Sequence, residues 1–203
     1  MFPFDVILFD VGGVLLTNGW DHRERAAAMK YFHLDPAPFE ARHPAPYDAW
    51  ERGVIPLKSY LDATVFFEPR RFSQDDFFGF MLNQSKLLPN GALGILEEIA
   101  ASHQCVVGAL NNEARETNEF RFESFGLRNY FDVALSSCYL GLRKPEAAIY
   151  RRALDILGGP AERILFIDDR PENVAGAKAA GINAIVFEGA DSLRPQFVSL
   201  GVL

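Results

Sequence analysis

Two apolar patterns alternate along this chain. Five short runs are almost wholly apolar: 6–9 (VILF), 105–110 (CVVGAL), 132–135 (DVAL), 164–167 (ILFI) and 184–187 (AIVF). Short runs without polar alternation predict strands buried on both faces of a parallel sheet. Between them lie segments with helical period, at 91–102, 116–125, 147–157 and 172–180. Strands alternating with helices predict an α/β fold, a Rossmann-like doubly wound parallel sheet. The stretch 192–203 predicts a last helix with Leu193, Phe197 and Leu200 on one face.

One interval breaks the alternation. Residues 17–85 contain no strand-like run, only helical pieces at 21–32, 36–42, 47–52, 57–66 and 73–84. Asp21 and Ser73 stand where a helix start needs a side-chain acceptor, and Pro36 suits a first helical position. Ser73 with Asp76 is a variant of the capping box. The pattern predicts a core of residues 1–16 and 86–203, with one all-helical insertion, 17–85, after the first strand.

Polar residues follow the strand runs. Asp10 ends the first, Asn111 with Asn112 the second, and Asp168 with Asp169 the fourth, while Lys144 follows the third. In an open parallel sheet, ligands bind outside the carboxyl ends of the strands, so these groups should converge. Carboxylates suit Mg²⁺, which also takes phosphate oxygens. A lysine and amide donors suit phosphate, and a carboxylate facing phosphorus can act as nucleophile.

The runs ILFDVGGVL, ALNN, GLRKPEAAIY and ILFIDDRPENVAGAKAAGI, in this order, resemble the four motifs of the haloacid dehalogenase-like (HAD) superfamily. The helical insertion stands at the position of that family's C1 cap. Within the family the chain most resembles small bacterial phosphatases of sugar phosphates. The resemblance implies Mg²⁺-dependent hydrolysis of a small phosphomonoester, with Asp10 forming an aspartyl-phosphate. Lys144, Asn111 and Asn112 would contact the phosphate, Asn111 standing where the family usually has Ser or Thr. Asp10, Asp168, Asp169 and the backbone carbonyl of Gly12 would surround the metal, with Asp169 a direct ligand.

Gly12 departs from the family, which usually has an acid/base Asp there. Such a group contributes ~10²–10⁴-fold. A good leaving group, a residue from the cap, or a slow enzyme would each accommodate the change. Two other activities are compatible with the motifs. One is a 2-haloacid dehalogenase; the other is a binding or regulatory protein with weakened catalysis. The acidic pair at 168–169 and the non-aromatic Gly12 favour phosphoryl transfer.

Charge and composition narrow the partners. The 203 residues carry a net charge of −7 with no basic run, which argues against nucleic acid and anionic membranes. No apolar run reaches the ~18 residues of a membrane span. The first nine residues lead straight into a strand without a basic segment, so no signal peptide is expected. Two cysteines, Cys105 and Cys138, suit reduced thiols in a cytoplasmic protein. Nothing in the pattern sets the oligomeric state. Eight of the 18 Phe fall within 17–85, and FF (Phe66, Phe67) with FFGF (Phe77, Phe78, Phe80) predicts a separately packed helical lid. Trp20 and Trp50 suit lid core or a sugar pocket. His22, Arg70 and Arg71 suit solvent or a substrate contact from the lid, and Asn173 suits ordering of its loop.

Overall fold

A computed structural model describes residues 2–203. The chain begins with β1 (Val6–Phe9) and then five helices: α1 (His22–Tyr31), α2 (Pro36–Arg42), α3 (Pro44–Glu51), α4 (Leu57–Thr64) and α5 (Gln74–Leu82). It continues through α6 (Leu93–Ser102), β2 (Val106–Asn111), α7 (Arg115–Ser124), β3 (Val133–Ser136) and α8 (Ser137–Leu140). It ends with α9 (Ala147–Leu157), β4 (Ile164–Asp168), α10 (Pro171–Ala179), β5 (Asn183–Val186) and α11 (Ala190–Leu200). The strands form one parallel sheet in the order β3-β2-β1-β4-β5. Each apolar run of the sequence lies on a strand, within one residue of its ends.

Successive strand residues face opposite sides, so β1 supplies two cores. Ile7 and Phe9 pack with Ala109, Ile167 and residues of α6 and α11. Val6 and Leu8 pack on the other face with Leu110, Phe166 and residues of α9 and α10. The register sets Phe9 beside Ala109 and Ile167, so Asp10 emerges level with Asp168.

Local chemistry fixes the helix starts of the insertion. Asp21 caps α1, accepting from the His22 amide at 2.7 Å, and Glu24 reaches back to the Asp21 amide at 3.0 Å. Ser73 and Asp76 close the capping box expected at α5. The helix expected at 47–52 starts earlier, at Pro44, because a proline at the first position is already set for helix. The four-residue α8 is too short to leave a period in the sequence.

The five helices enclose their own apolar centre, including Trp20, Phe39, Trp50, Tyr60 and Phe77. Trp50 stacks on Tyr60 with ring centroids 4.7 Å apart, and Trp20 meets Phe77 edge-on at 5.8 Å. Two expectations are corrected. Phe67 is exposed, with Arg42 and Arg70 guanidinium groups over its ring at 4.1 and 5.0 Å, so cations and not core atoms cover it. Leu200 is exposed as well: the chain turns at Gly201, and Val202 folds back into the place beside Phe197. Among the described residues, no helix is long and apolar enough to cross a membrane.

A buried hydrogen-bond chain crosses the lid. Trp20 Nε1 donates to Tyr60 Oη at 2.8 Å, and His43 Nδ1 lies 2.9 Å from the same oxygen. Tyr60 donates onward when His43 is neutral, which gives every group a partner. Burial, with the nearby Arg25 charge, pushes His43 down to about 4. The folded form therefore takes up its proton later than the unfolded chain as pH falls. Stability from this residue is complete above pH ~6.5 and is lost progressively between there and pH ~4. Replacing His43 by Gln should remove that part of the pH dependence. Thermal midpoints measured across this window should fall less steeply for H43Q than for the unaltered protein; parallel curves would refute the assignment.

Candidate active site

Parallel strands bring like charges together at the sheet's carboxyl edge. Asp10 follows β1 and Asp168 ends β4, and both are buried. Lys144 stands between them, its Nζ 3.0 Å from Asp10 Oδ2 and 2.6 Å from Asp168 Oδ2. Asp10 Oδ1 accepts from the Val11 amide at 2.7 Å. Asp168 Oδ1 accepts from the Arg170 amide at 2.8 Å and from Asn173 Nδ2 at 2.9 Å. Asn173 thus orders its loop, the role the sequence suggests.

Asp169 completes the acidic group. One oxygen from each of Asp10, Asp168 and Asp169 lies within 4.8 Å of the others. Asp169 Oδ1 is buried and has no hydrogen-bond partner. Gly13 adopts φ +74°, and a Cβ there would run into the Asp169 carboxylate. The glycine therefore leaves room for the acidic group as well as making the turn. Burial pushes Asp10 up to about 8, against the pull of Lys144, and Asp168 and Asp169 add to the rise. Asp169 is raised by burial and by Asp168. Burial works against the Lys144 charge, but Asp10 and Asp168 outweigh it and hold the ammonium above its ordinary range. With all three carboxyls ionised, one ammonium would leave two excess negative charges, and the upward shifts of Asp10 and Asp169 reflect burial and that excess. A hard divalent cation fits that donor set and that excess.

The asparagines divide the work. Asn112 lines the cavity beside Asp10 and binds the Lys144 backbone twice, donating to its carbonyl and accepting from its amide, both at 2.9 Å. Asn111 is turned inward: its Nδ2 donates to Asn118 at 2.9 Å, and its Oδ1 accepts from Ser136 at 2.8 Å. The structure therefore groups Asp10, Asn112, Lys144, Asp168 and Asp169, and puts the Asn111 amide in the packing beneath them.

A cavity of about 230 Å³ opens above Asp10, with Gly12, Asn112 and Lys144 in its wall. A family model for haloacid dehalogenase-like hydrolases matches residues 4–181. The chain belongs to that family. Flavin mononucleotide hydrolase 1 of Arabidopsis thaliana is 29% identical over 163 residues, which are 80% of this chain and 65% of that protein. Phosphoglycolate phosphatase of Rhodospirillum rubrum is 34% identical over 113 residues, 56% of this chain and 46% of that one. The match thus spans less than two thirds of either relative's length. A HAD family enzyme from Bacteroides thetaiotaomicron, solved with magnesium and inorganic phosphate, superposes with TM-score 0.74. It is 19% identical, and the superposition covers 92% of this chain and 95% of that one. A HAD-like hydrolase from Porphyromonas gingivalis gives 0.75 at 21% identity, over 98% of each chain. Both likenesses show the fold.

In this HAD-family member the helical insertion roofs the cavity. Trp20, Asp21, Arg25, Tyr47 and Glu51 reach it from that side, and Glu113, Arg121, Arg143 and Arg170 from the core. Trp20 serves lid packing and cavity wall together, whereas Trp50 stays in the lid and donates to Glu116 of α7 at 2.9 Å. His22 points to solvent. Arg70 is held by the Val65 carbonyl at 2.7 Å and by Glu68 at 2.6 Å, away from this cavity. Arg71 is exposed. Glu51, Glu113, Arg121, Arg143 and Arg170 directly follow no strand run and so carry no strand-end signal in the sequence. Arg143 and Arg170 stand within the quoted GLRKPE and IDDRPEN runs, which is the one signal that pointed to them.

Lys144 gives a direct test of the electrostatic arrangement. Replacing it by Met leaves two buried carboxyls facing each other without a cation. The variant should lose about 3–5 kcal/mol of stability at pH 8. The loss should shrink at pH 5, where one of the two carboxyls takes up a proton. Urea denaturation at both pH values checks this, and an equal loss at both would refute it.

Proposed function

We propose that this chain hydrolyses a small phosphomonoester, sugar-phosphate-like in size and polarity, through an aspartyl-phosphate on Asp10. One observation carries the proposal. A buried carboxylate at the floor of a polar cavity is paired to a lysine and accompanied by two further carboxylates. An isolated carboxylate would repel a phosphate dianion; here Lys144 offsets part of the charge, and the two further carboxylates would hold a metal ion that offsets the rest.

Asp10 Oδ2 attacks phosphorus, the bond to the leaving oxygen breaks, and water then releases phosphate from Asp10. Lys144 holds the nucleophile and offers its remaining proton to a phosphoryl oxygen. Asn112 fixes the lysine backbone, and Asn173 fixes Asp168. The roof limits water around the reacting groups, where fixed charges act most strongly. The oxygens of Asp10, Asp168 and Asp169 would hold Mg²⁺, with the Gly12 carbonyl as a further ligand. When bound the ion supplies positive charge for the phosphoryl oxygens. The substrate is a small anionic molecule, and a cytoplasmic setting suits the two free cysteines.

A panel of sugar phosphates, nucleotides and a chromogenic aryl phosphate, assayed with and without Mg²⁺, tests the proposal. Hydrolysis should require Mg²⁺ and should vanish in Asp10→Asn. Asp169→Asn should raise the Mg²⁺ concentration for half-maximal activity by roughly tenfold or more, the scale on which even outer partners of a metal act. Turnover retained by Asp10→Asn would refute the mechanism. Halide release from a 2-haloacid without Mg²⁺ would replace it with dehalogenation, and binding of phosphate with no hydrolysis would leave a binding protein.

A further inference from the structure

Cleavage of an alkyl phosphate needs a proton at the leaving oxygen, because an alkoxide leaves poorly. Two residues past Asp10 the chain has glycine, which supplies none. The other ionisable groups of the cavity wall are nearly all committed. Arginines keep their protons. Lys144 is bound by Asp10 and Asp168. Asp21 caps α1 and lies 3.5 Å from Arg170. Glu113 accepts from Thr117 with one oxygen and from Arg121 with the other. Glu172 is exposed to solvent.

Glu51 is paired too, but one of its oxygens has no aligned donor. It is the last residue of α3, buried at 4% exposure, in the wall of the cavity that contains Asp10. Its Oε1 accepts from the Tyr47 hydroxyl at 2.5 Å. Its Oε2 is buried without an aligned donor, although Arg143 Nη2 lies 2.5 Å away as an ion-pair contact. Arg143 directly precedes Lys144, so a two-residue stretch carries the partner of Glu51 and the partner of Asp10. The helix end is also fixed to the core: Ser137 Oγ donates to the Glu51 carbonyl at 2.7 Å.

We propose that Glu51 is the proton donor to the leaving oxygen, and then the base for the attacking water, in the hydrolysis proposed above, on which this inference rests. In the first step the bond from Asp10 to phosphorus forms, the bond from phosphorus to the leaving oxygen breaks, and the Glu51 proton passes to that oxygen. In the second, the Glu51 carboxylate takes a proton from water as its oxygen attacks phosphorus, and Asp10 is released. Glu51 ends protonated, as it began. Its surroundings suit both roles. Burial pushes it up to about 7, the nearby Glu113 adds to the rise, and Arg143, the Tyr47 hydroxyl and Arg170 oppose it. These four groups face it from its own helix, the loop after β2, the loop before α9 and the loop after β4.

The test compares an alkyl phosphate with 4-nitrophenyl phosphate, whose leaving group departs without a proton. In Glu51→Gln, kcat/KM should fall about 10²–10⁴-fold for the alkyl ester and less than about tenfold for the aryl ester. The ratio of the two values does not depend on how much of the variant is folded. In the unaltered protein the same alkyl-to-aryl ratio should fall as pH rises above about 7, where the donor is deprotonated, a readout that needs no variant. An equal fall for both esters, or a ratio insensitive to pH, would overturn the role of Glu51 and leave the hydrolysis standing. An unaltered protein that cleaves the aryl ester but no alkyl ester would also overturn it, since no donor would be at work. Absence of all phosphoester hydrolysis would overturn both proposals.

Discussion

One ammonium group holds the carboxyl edge of this sheet together. The parallel register sets Asp10 level with Asp168, and buried like charges at that spacing repel strongly. Lys144 resolves the conflict by binding both. Its own position is fixed from behind, because Asn112 holds its amide and its carbonyl. Asp168 is fixed in turn by Asn173 and the Arg170 amide. Asp10, Lys144 and Asp168 are thereby placed by something other than substrate, so little reorganisation of these three remains for the reaction itself.

The roof over this edge is tied to the core beside the cavity. The lid has its own apolar centre, but α3 is bound to the core through polar contacts. Arg52 pairs with Glu146, Arg143 bridges to Asp48 at 2.7 Å, and Trp50 donates to Glu116. Glu116 also accepts from the Leu57 amide at 2.9 Å, so a core helix caps the start of a lid helix. Exposed pairs of this kind contribute little each. Their value is positional: they converge on the helix that carries Tyr47 and Glu51 into the cavity.

Much of this was legible in the chain itself. Strand ends could be read because buried parallel strands are uninterrupted apolar runs, and the residue after each run must lie at the carboxyl edge. Asp10, Lys144, Asp168 and Asp169 follow from that rule and from the motif order. Asn111 and Asn112 show its limit. Neighbouring strand residues face opposite ways, and only coordinates reveal that the first binds Asn118 and Ser136 while the second faces the cavity. Glu51 left no signal, because its significance arises from Arg143, which is 92 residues away in sequence. Phe67 and Leu200 failed for a related reason: apolar character marks a tendency to be buried, and local turns and cations decide the outcome.

The absence of a side chain at position 12 is a property of the whole neighbourhood. A Cβ there would meet Asn18 Oδ1 at 3.1 Å and Arg121 Nη1 at 3.6 Å. Arg121 is itself buried, with one nitrogen bound by Glu113 and the other donating to the Thr17 carbonyl where the chain leaves the sheet for the lid. The second bond ties the lid's first strap to the core. A carboxylate at position 12 would lie beside the guanidinium that Glu113 already binds. With glycine there, the proposed donor Glu51 comes instead from the roof, on α3, which the core holds through Glu146, Arg143 and Glu116.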